Sequence, residues 1–454
     1  MTLKTDKLID FLNISIPNPI NEHGNYIIKY IQPISKELFD KAYLTINSIS
    51  TSYLYWDNPG LNESFLAIDE CQRNNKLLQI EETNFISNQD EFSLERIPDI
   101  LLSRKFPNDK SADTWQDFDN SYAFIPKIIF YKKTNDYFLT IFSEYGNNKT
   151  YSEIIEEFEK YLDDINNSQN IIINQPSIDI ITQTNAEDWE KMINYSLQKI
   201  KDAEIKKVVL SRFVSGNINS KTDLNFLTSK LKDDYPGSYI FIYKRNSSIF
   251  LGASPEKLFS INRNLIETEA LAGTIARGES NSTDNELSDL LLNDSKELSE
   301  HNNVLDYIVS NLSEITTDIK YQAPTIKKLK YIQHLWTPIT AKLRPGQSIH
   351  TLINKLHPTP AVCGDPKEKA LHIINELEKF DRGLFTGILG WYNNKGYGDV
   401  IVAIRSALIK NNKLLLFAGC GIVEGSTPEK EFTETELKLK SILSLFKNET
   451  TNQS

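Results

Sequence analysis

The sequence predicts an α+β protein. Short β-type runs and long amphipathic segments both occur, they do not follow each other in regular βαβ order, and hydrophobic residues make up 40% of the chain against 24% charged. The first two features disfavour a doubly wound parallel sheet, and the third supplies a sizeable core. At 454 residues the chain accommodates two or three ordinary domains or one unusually large one.

Over the first ~170 residues the text is aromatic and turn-rich, as in Tyr53-Leu54-Tyr55-Trp56 followed by Asp57-Asn58-Pro59-Gly60. No constellation there carries chemistry. Polar clusters around Asn166–Asn170 and Asn217–Asp223 read as loops, and Asn448–Ser454 as a frayed tail. Beyond residue 180, Asn185 caps a helix in which Trp189, Met192, Ile193, Leu197 and Ile200 keep helical spacing. Strand-like runs follow at 208–210, 239–243 and 249–251. A long helical segment spans about Asp284 to Leu312. Further strands are expected at Val400–Ile404 and Leu414–Phe417, and a last helix from Pro428 to about Phe446.

The net charge of −11 argues against non-specific nucleic-acid or anionic-membrane binding. Met1–Asn13 does not read as a secretory leader, and no run approaches the roughly 20 apolar residues of a membrane span. Cys71, Cys363 and Cys420 are odd in number and far apart, as expected of reduced thiols in a cytoplasmic protein.

Two helices turn acids toward their core margins. Glu297 and Glu300, three apart, are neighbours on one face. The apolar stripe assigned to that helix is Leu287, Leu290, Leu298, Val304, Leu305 and Ile308. On the C-terminal helix, Glu431 adjoins the stripe of Phe432, Leu439, Ile442, Leu443 and Phe446, with Glu434 and Lys438 along the same flank. Acids near a helix start also complement its dipole, so one pair alone is ambiguous. Two pairs of oxygen donors suit a hard cation such as Mg²⁺, which takes one or two carboxylates and keeps positions for water and an anionic ligand.

Leu416–Gly425 is read as a small-residue connection between strand and helix. Its backbone N–H groups at Gly419 and Gly421 can approach a ligand, or it is a plain tight turn. Arg405 is placed either to clamp a carboxylate or to pair with a surface acid. Lys207 opens a strand-like run, Glu256 sits in a turn, and His357–Gly364 is set by two prolines.

In order and spacing these segments resemble the chorismate-utilising enzymes, in particular their isochorismate synthase branch. The resemblance rests on Lys207–Arg212, Gly252–Glu256, Leu271–Thr274, Ser295–Glu297, Glu300-His301, His357–Ala361, Ile404–Ser406, Ala418–Val423 and Glu431–Thr435. It is dense from Lys207 to Lys440 and faint before about residue 100. It implies one large α+β unit of two packed, mainly antiparallel sheets with flanking helices. Residues 1–180 would complete the sheet sandwich, and 181–450 would form the catalytic region. It implies Mg²⁺ held by Glu300 and Glu434, with Glu297 and Glu431 acting through metal-bound water. Arg405, Lys438, Gly419, Gly421, His334, Gly273, Thr274 and Ala361 match substrate-contacting positions.

By the same resemblance Lys207 is the general base and Glu256 the general acid. Water attacks C2 of chorismate while the C4 hydroxyl leaves, so base and acid must work on opposite ring faces. A lysine can serve only as the neutral amine, and a glutamate only if it keeps its proton near neutral pH; burial favours both. In members that use ammonia the lysine position resembles glutamine, and no amidotransferase segment is present, so no such subunit is expected. The implied state is a monomer or homodimer, in menaquinone, siderophore or salicylate metabolism. The alternatives are a salicylate synthase, which goes on to eliminate pyruvate, and a catalytically silent binding protein on the same fold.

Overall fold

The long strand Ser121–Lys133 is shared by two sheets. One of its edges pairs with Glu63–Asn74. The other pairs with Asp136–Tyr145 at one end and Ile100–Arg104 at the other. From Glu63–Asn74 the first sheet continues through Ser52–Asn58, Tyr239–Arg245, Ser248–Ser254, Ser406–Lys410, Lys413–Ile422 and Lys207–Ile218, every neighbour antiparallel. From Ile100–Arg104 the second runs through Ile388–Tyr392, Tyr397–Val402, Lys257–Asn262, Leu265–Ala276 and Ile332–Leu343, again antiparallel. The computed structural model describes residues 26–74, 83–92, 94–110, 113–145, 151–168, 175–218 and 223–448. The N-terminal segment, parts of the expected loops after 166 and 217, and all but the first residue of the expected tail lie outside these.

Strand alternation decides which side of each sheet is dry. Leu54 and Trp56 face the core between the sheets, with Phe65, Phe250, Trp391 and Phe417. Phe65 meets Trp391 edge-on at 6.5 Å between centroids. Tyr53 and Tyr55 point the other way, into a second core capped by the helices Lys36–Ile49, Leu224–Asp234 and Pro428–Leu443. A third cluster packs the helices Ala186–Lys201 and Lys367–Leu377 against Val208, Leu210, Cys420 and Ile422. Residues before 180 supply strands to both sheets and hydrogen-bond to strands after 180 in each. The fold is the expected α+β sandwich, its two sheets made continuous by one strand.

Three local expectations are corrected. The single helix over 284–312 is two, Asn281–Asn293 and Ser295–Ser313, because the Asp294 carboxylate accepts the N–H groups of Lys296 and Glu297 and starts a new helix. The break resets the phase: Leu290 is exposed, while His301, Val304, Leu305, Ile308 and Leu312 form the buried stripe. The strand expected over 400–404 ends at Val402. Gly419 and Gly421 lie within the strand Lys413–Ile422, paired with Ser211 and Val209, and not in a connection after it. The Asn185 cap is as expected, accepting the Asp188 N–H.

One fully buried ion pair ties the wall of the future site together. Arg382 binds both oxygens of Glu378 at 2.8 and 2.5 Å and donates to the Val362 and Val209 carbonyls. Glu378 in turn accepts the Ser211 N–H at 2.7 Å. Removing one member of such a pair strands a charge, at a cost of about 3–5 kcal/mol. Arg382→Met should therefore lower stability by about that amount in urea denaturation, and the double change Arg382→Met/Glu378→Met should recover part of it.

Candidate active site

Between the two sheets lies a pocket with about 650 Å³ of empty space, part of it continuous with solvent. Val209, Gly419 and Gly421 line it from the first sheet; Gly273, Thr274 and His334 line it from the second. Its wall mixes apolar side chains with a few convergent polar groups, as small-molecule sites do.

Lys207, fully buried, opens the strand Lys207–Ile218. Its Nζ lies 2.7 Å from Glu300 Oε1, and Glu300 lines the pocket. This approach exists because residue 421 has no side chain. A Cβ there would stand 2.6 Å from both Glu300 Oε1 and Lys207 Cε. At Gly419 a Cβ would meet Ser211 Oγ at 2.7 Å. These glycines are strand positions cleared for neighbours, a reason different from the backbone approach expected from the sequence.

Each of the four acids on the two helices faces a lysine. Lys296, on the helix start beside Glu297, bridges Glu431 at 3.1 Å and Glu297 at 3.5 Å. Lys438 pairs with Glu434 at 2.5 Å and donates to the Gly419 carbonyl at 2.9 Å. Burial pushes the Glu297 carboxyl up to about 7, helped by Glu300 and opposed by the N–H that Thr274 donates to it at 2.8 Å. Burial, then the neighbouring Glu434, raises Glu431. Glu300 goes the other way: burial opposes its charge, but Lys207 at close range, with Lys438 and Lys296, outweighs it and holds the carboxyl below its ordinary value. Burial also works against the charge of Lys296, yet Glu431 and Glu297 hold its pKa above the usual lysine value.

Among the described residues, no three acidic, histidine or cysteine side chains converge as a ready metal-ligand set. The donor chemistry nevertheless fits a hard divalent cation. These are carboxylate oxygens; burial, and then mutual repulsion, lifts the carboxyls of Glu297 and Glu431, and an added positive charge relieves that repulsion.

Arg405, with φ of 51° between two strands, sends its guanidinium into the pocket. Gly252 permits this kink, since a Cβ there would lie 2.7 Å from the Arg405 carbonyl. Arg405 Nη2 contacts His334 Nε2 at 3.3 Å. Among the described residues no carboxylate reaches Arg405 within ion-pair distance. Burial lowers its pKa to about 10. His334 Nδ1 lies 3.1 Å from the Gly273 carbonyl, which can only accept, so Nδ1 carries the proton and Nε2 accepts from Arg405. Burial, then Arg405 and Lys438, keeps His334 neutral. Thr274 Oγ1 completes the ring's surroundings at 3.0 Å. His301, by contrast, is a core residue bonded to Thr337 Oγ1 and the Ala272 carbonyl.

Glu256 sits on the link between the strands Ser248–Ser254 and Lys257–Asn262, where the chain passes from one sheet to the other. It lines the pocket. Burial pushes its carboxyl up to about 8, with Glu269 adding to the rise and Lys207, Lys327 and Lys438 opposing it.

The pocket wall thus gathers Glu256, Glu300, Gly273, Thr274 and His334, and with them Ala361, Arg405, Gly419, Gly421 and Lys438. Lys207 reaches it through Glu300, and Glu434 through Lys438. Glu297 and Glu431 stand beside these, joined by Lys296. Sequence reasoning gave no role to Lys296, although it adjoins Glu297, nor to Glu269 and Lys327, which nothing in their local sequence singles out.

The chain belongs to the chorismate binding enzyme family, which it matches over residues 19–447. It is 34% identical over 342 residues to isochorismate synthase MenF of Bacillus subtilis (strain 168), spanning 74% of this chain and 72% of that protein. It is 38% identical over 255 residues to the salicylate biosynthesis isochorismate synthase of Pseudomonas aeruginosa, 56% of this chain and 53% of that one. The solved structure of MenF, the menaquinone-specific isochorismate synthase of Escherichia coli, superposes with a TM-score of 0.80 at 22% identity, covering 98% of this chain and 99% of that one. No helix among the described residues is long and apolar enough to cross a membrane.

The atoms that a methyl group at residue 421 would meet are the ends of flexible side chains, so the fold can absorb it while the Lys207–Glu300 contact cannot. Gly421→Ala should leave the thermal midpoint close to that of the parent protein and lower kcat/KM by about 10²-fold, the usual cost of an ångström's misplacement.

Proposed function

We propose that this protein is an isochorismate synthase, adding water to C2 of chorismate as the C4 hydroxyl departs. One juxtaposition carries the reading. A buried carboxyl that keeps its proton to about pH 8 shares a pocket with a guanidinium that has no carboxylate partner among the described residues, and a buried lysine stands behind the wall. A dianionic ring ligand needs the guanidinium, and replacement of one hydroxyl by another needs an acid and a base.

In this reading Arg405 and Lys438 hold the ligand's carboxylates, and neutral His334 fixes the guanidinium's plane. Lys207 takes a proton from the attacking water. The new C2–O bond forms, the two ring double bonds each shift by one position, and the C4–O bond breaks. Glu256 donates its proton so that the leaving group departs as water. Glu297, Glu300, Glu431 and Glu434 are the residues that would hold Mg²⁺. That ion, when bound, supplies positive charge against the acids and the ring carboxylate.

Pure protein given chorismate and Mg²⁺ should form isochorismate alone; salicylate and pyruvate, formed without a second enzyme, would overturn the reading in favour of a salicylate synthase. Lys207→Ala should fold and lose about 10²–10⁴-fold in kcat, the usual contribution of a positioned proton acceptor. Full activity in that variant would remove Lys207 as the base. Because Glu256 must be protonated to act, kcat should fall above about pH 8. In Glu256→Gln activity should be low, with that alkaline limb gone.

A further inference from the structure

We infer that the Glu269–Lys327 ion pair is a clamp that positions Glu256, gripping the peptide groups on both sides of it. Lys327 Nζ donates to the carbonyl of Pro255, the residue before Glu256, at 2.6 Å. Glu269 Oε1 accepts the N–H of Lys257, the residue after it, at 2.9 Å. The two gripping side chains bind each other at 3.1 Å. Trp336 Nε1 donates to the second Glu269 oxygen at 2.5 Å, which fixes that carboxylate's rotation.

Three strands therefore meet on one link: Leu265–Ala276 through Glu269, Thr325–Lys328 through Lys327, and Ile332–Leu343 through Trp336. His334 is the register partner of Lys327, so the same two strands carry the clamp and one pocket residue. On its far side the clamp borders a second cleft, open to solvent and lined in part by Pro255, Lys257, Glu269 and Lys327. The same two peptides are held on their other sides by Ser254 Oγ, which accepts the Glu256 N–H at 3.2 Å, and by the Val402 N–H, which donates to the Glu256 carbonyl at 3.1 Å. The clamp takes the remaining carbonyl and N–H and ties them to one ion pair.

Burial is the first cause of the raised Glu256 carboxyl, and the clamp adds to the field there. The charged groups acting on that carboxyl are Glu269, Lys207, Lys327 and Lys438, and it acts in turn on Arg405. Glu269 disfavours its ionisation; the three lysines favour it. A like charge within about 4–6 Å typically raises a carboxyl by about one unit or more. Glu269 and Lys327 are positioning residues, since they act on the reaction only through Glu256.

This inference rests on Glu256 as the acid, and its test separates the two ideas. Glu269→Gln keeps an acceptor and removes the charge; Lys327→Met removes the opposite charge. In kcat profiles the alkaline limb should move down by about half a pH unit or more in the first and up in the second, with KM within about threefold of the parent value. Glu269→Ala, which loses the grip, should lower kcat by about tenfold or more at similar KM. An activity-independent readout is the difference in thermal midpoint between each protein and its Glu256→Gln counterpart, followed against pH. Glu256's contribution to stability is fully present below its ordinary value of 4.5 and is lost as pH rises, levelling off above about 8. That levelling-off should move to lower pH in Glu269→Gln. If it stays put in both charge variants, the clamp is wrong. If it moves while kcat of the parent shows no alkaline limb there, the clamp stands and Glu256 is not the acid.

Discussion

Carboxylates packed together away from water repel one another, and this site is built around the lysines that make their burial tolerable. At about 4 Å a unit-charge pair is worth about 4 kcal/mol under the screening typical near a protein surface, against about 1 in bulk water. Pairing therefore matters here as it would not on an exposed face. Glu300 has Lys207, Glu434 has Lys438, and Lys296 is shared by Glu297 and Glu431. The compensation is uneven. Glu300 is held charged, while Glu297 and Glu431 are pushed toward the neutral form. A site in that condition has room for one more positive charge, and at Glu256 burial, with Glu269 adding to it, outweighs three lysines so that the carboxyl keeps its proton.

The sandwich supplies the rigidity such an arrangement needs. Lys207, Gly419 and Gly421 come from neighbouring strands of one sheet; Gly273, Thr274 and His334 come from neighbouring strands of the other. The strand Ser121–Lys133 belongs to both, so the sheets cannot slide apart without breaking a ladder. The buried Arg382–Glu378 pair adds a polar tie to Val209 and Val362, two residues of the pocket wall. The two acid-bearing helices then dock by apolar stripes, and the stripe of Ser295–Ser313 runs in phase with Glu297 and Glu300 because Asp294 starts the helix where it does.

Local chemistry was legible in the sequence; long-range pairing was not. The Asn185 cap, the strand runs and the three-residue spacing of Glu297 and Glu300 follow from local rules, as does the α+β class. The ordered motifs from Lys207 onward point to the family and to the residues now found around one pocket. The break at Asp294 was missed because the apolar spacing runs on through it, although an aspartate three residues before Glu297 is a capping signal. Gly419 and Gly421 read as a turn because glycine usually marks one. Their reason, a lysine and a glutamate meeting above a bare backbone, involves positions far apart in the chain. The roles of Lys296, Glu269 and Lys327 are of the same kind, set by contacts across strands. So is that of the N-terminal half, whose strands pair with Tyr239–Arg245 and Ile388–Tyr392.

The central claim is that water from solvent is activated on the Lys207 side and a different oxygen is released on the Glu256 side. Turnover of chorismate in ¹⁸O-labelled water, with mass spectrometry of the product, tests it most directly. The account predicts one ¹⁸O atom, located at C2 of the isochorismate formed in a single turnover. Unlabelled product, showing that the original hydroxyl migrates within the ring, would contradict it.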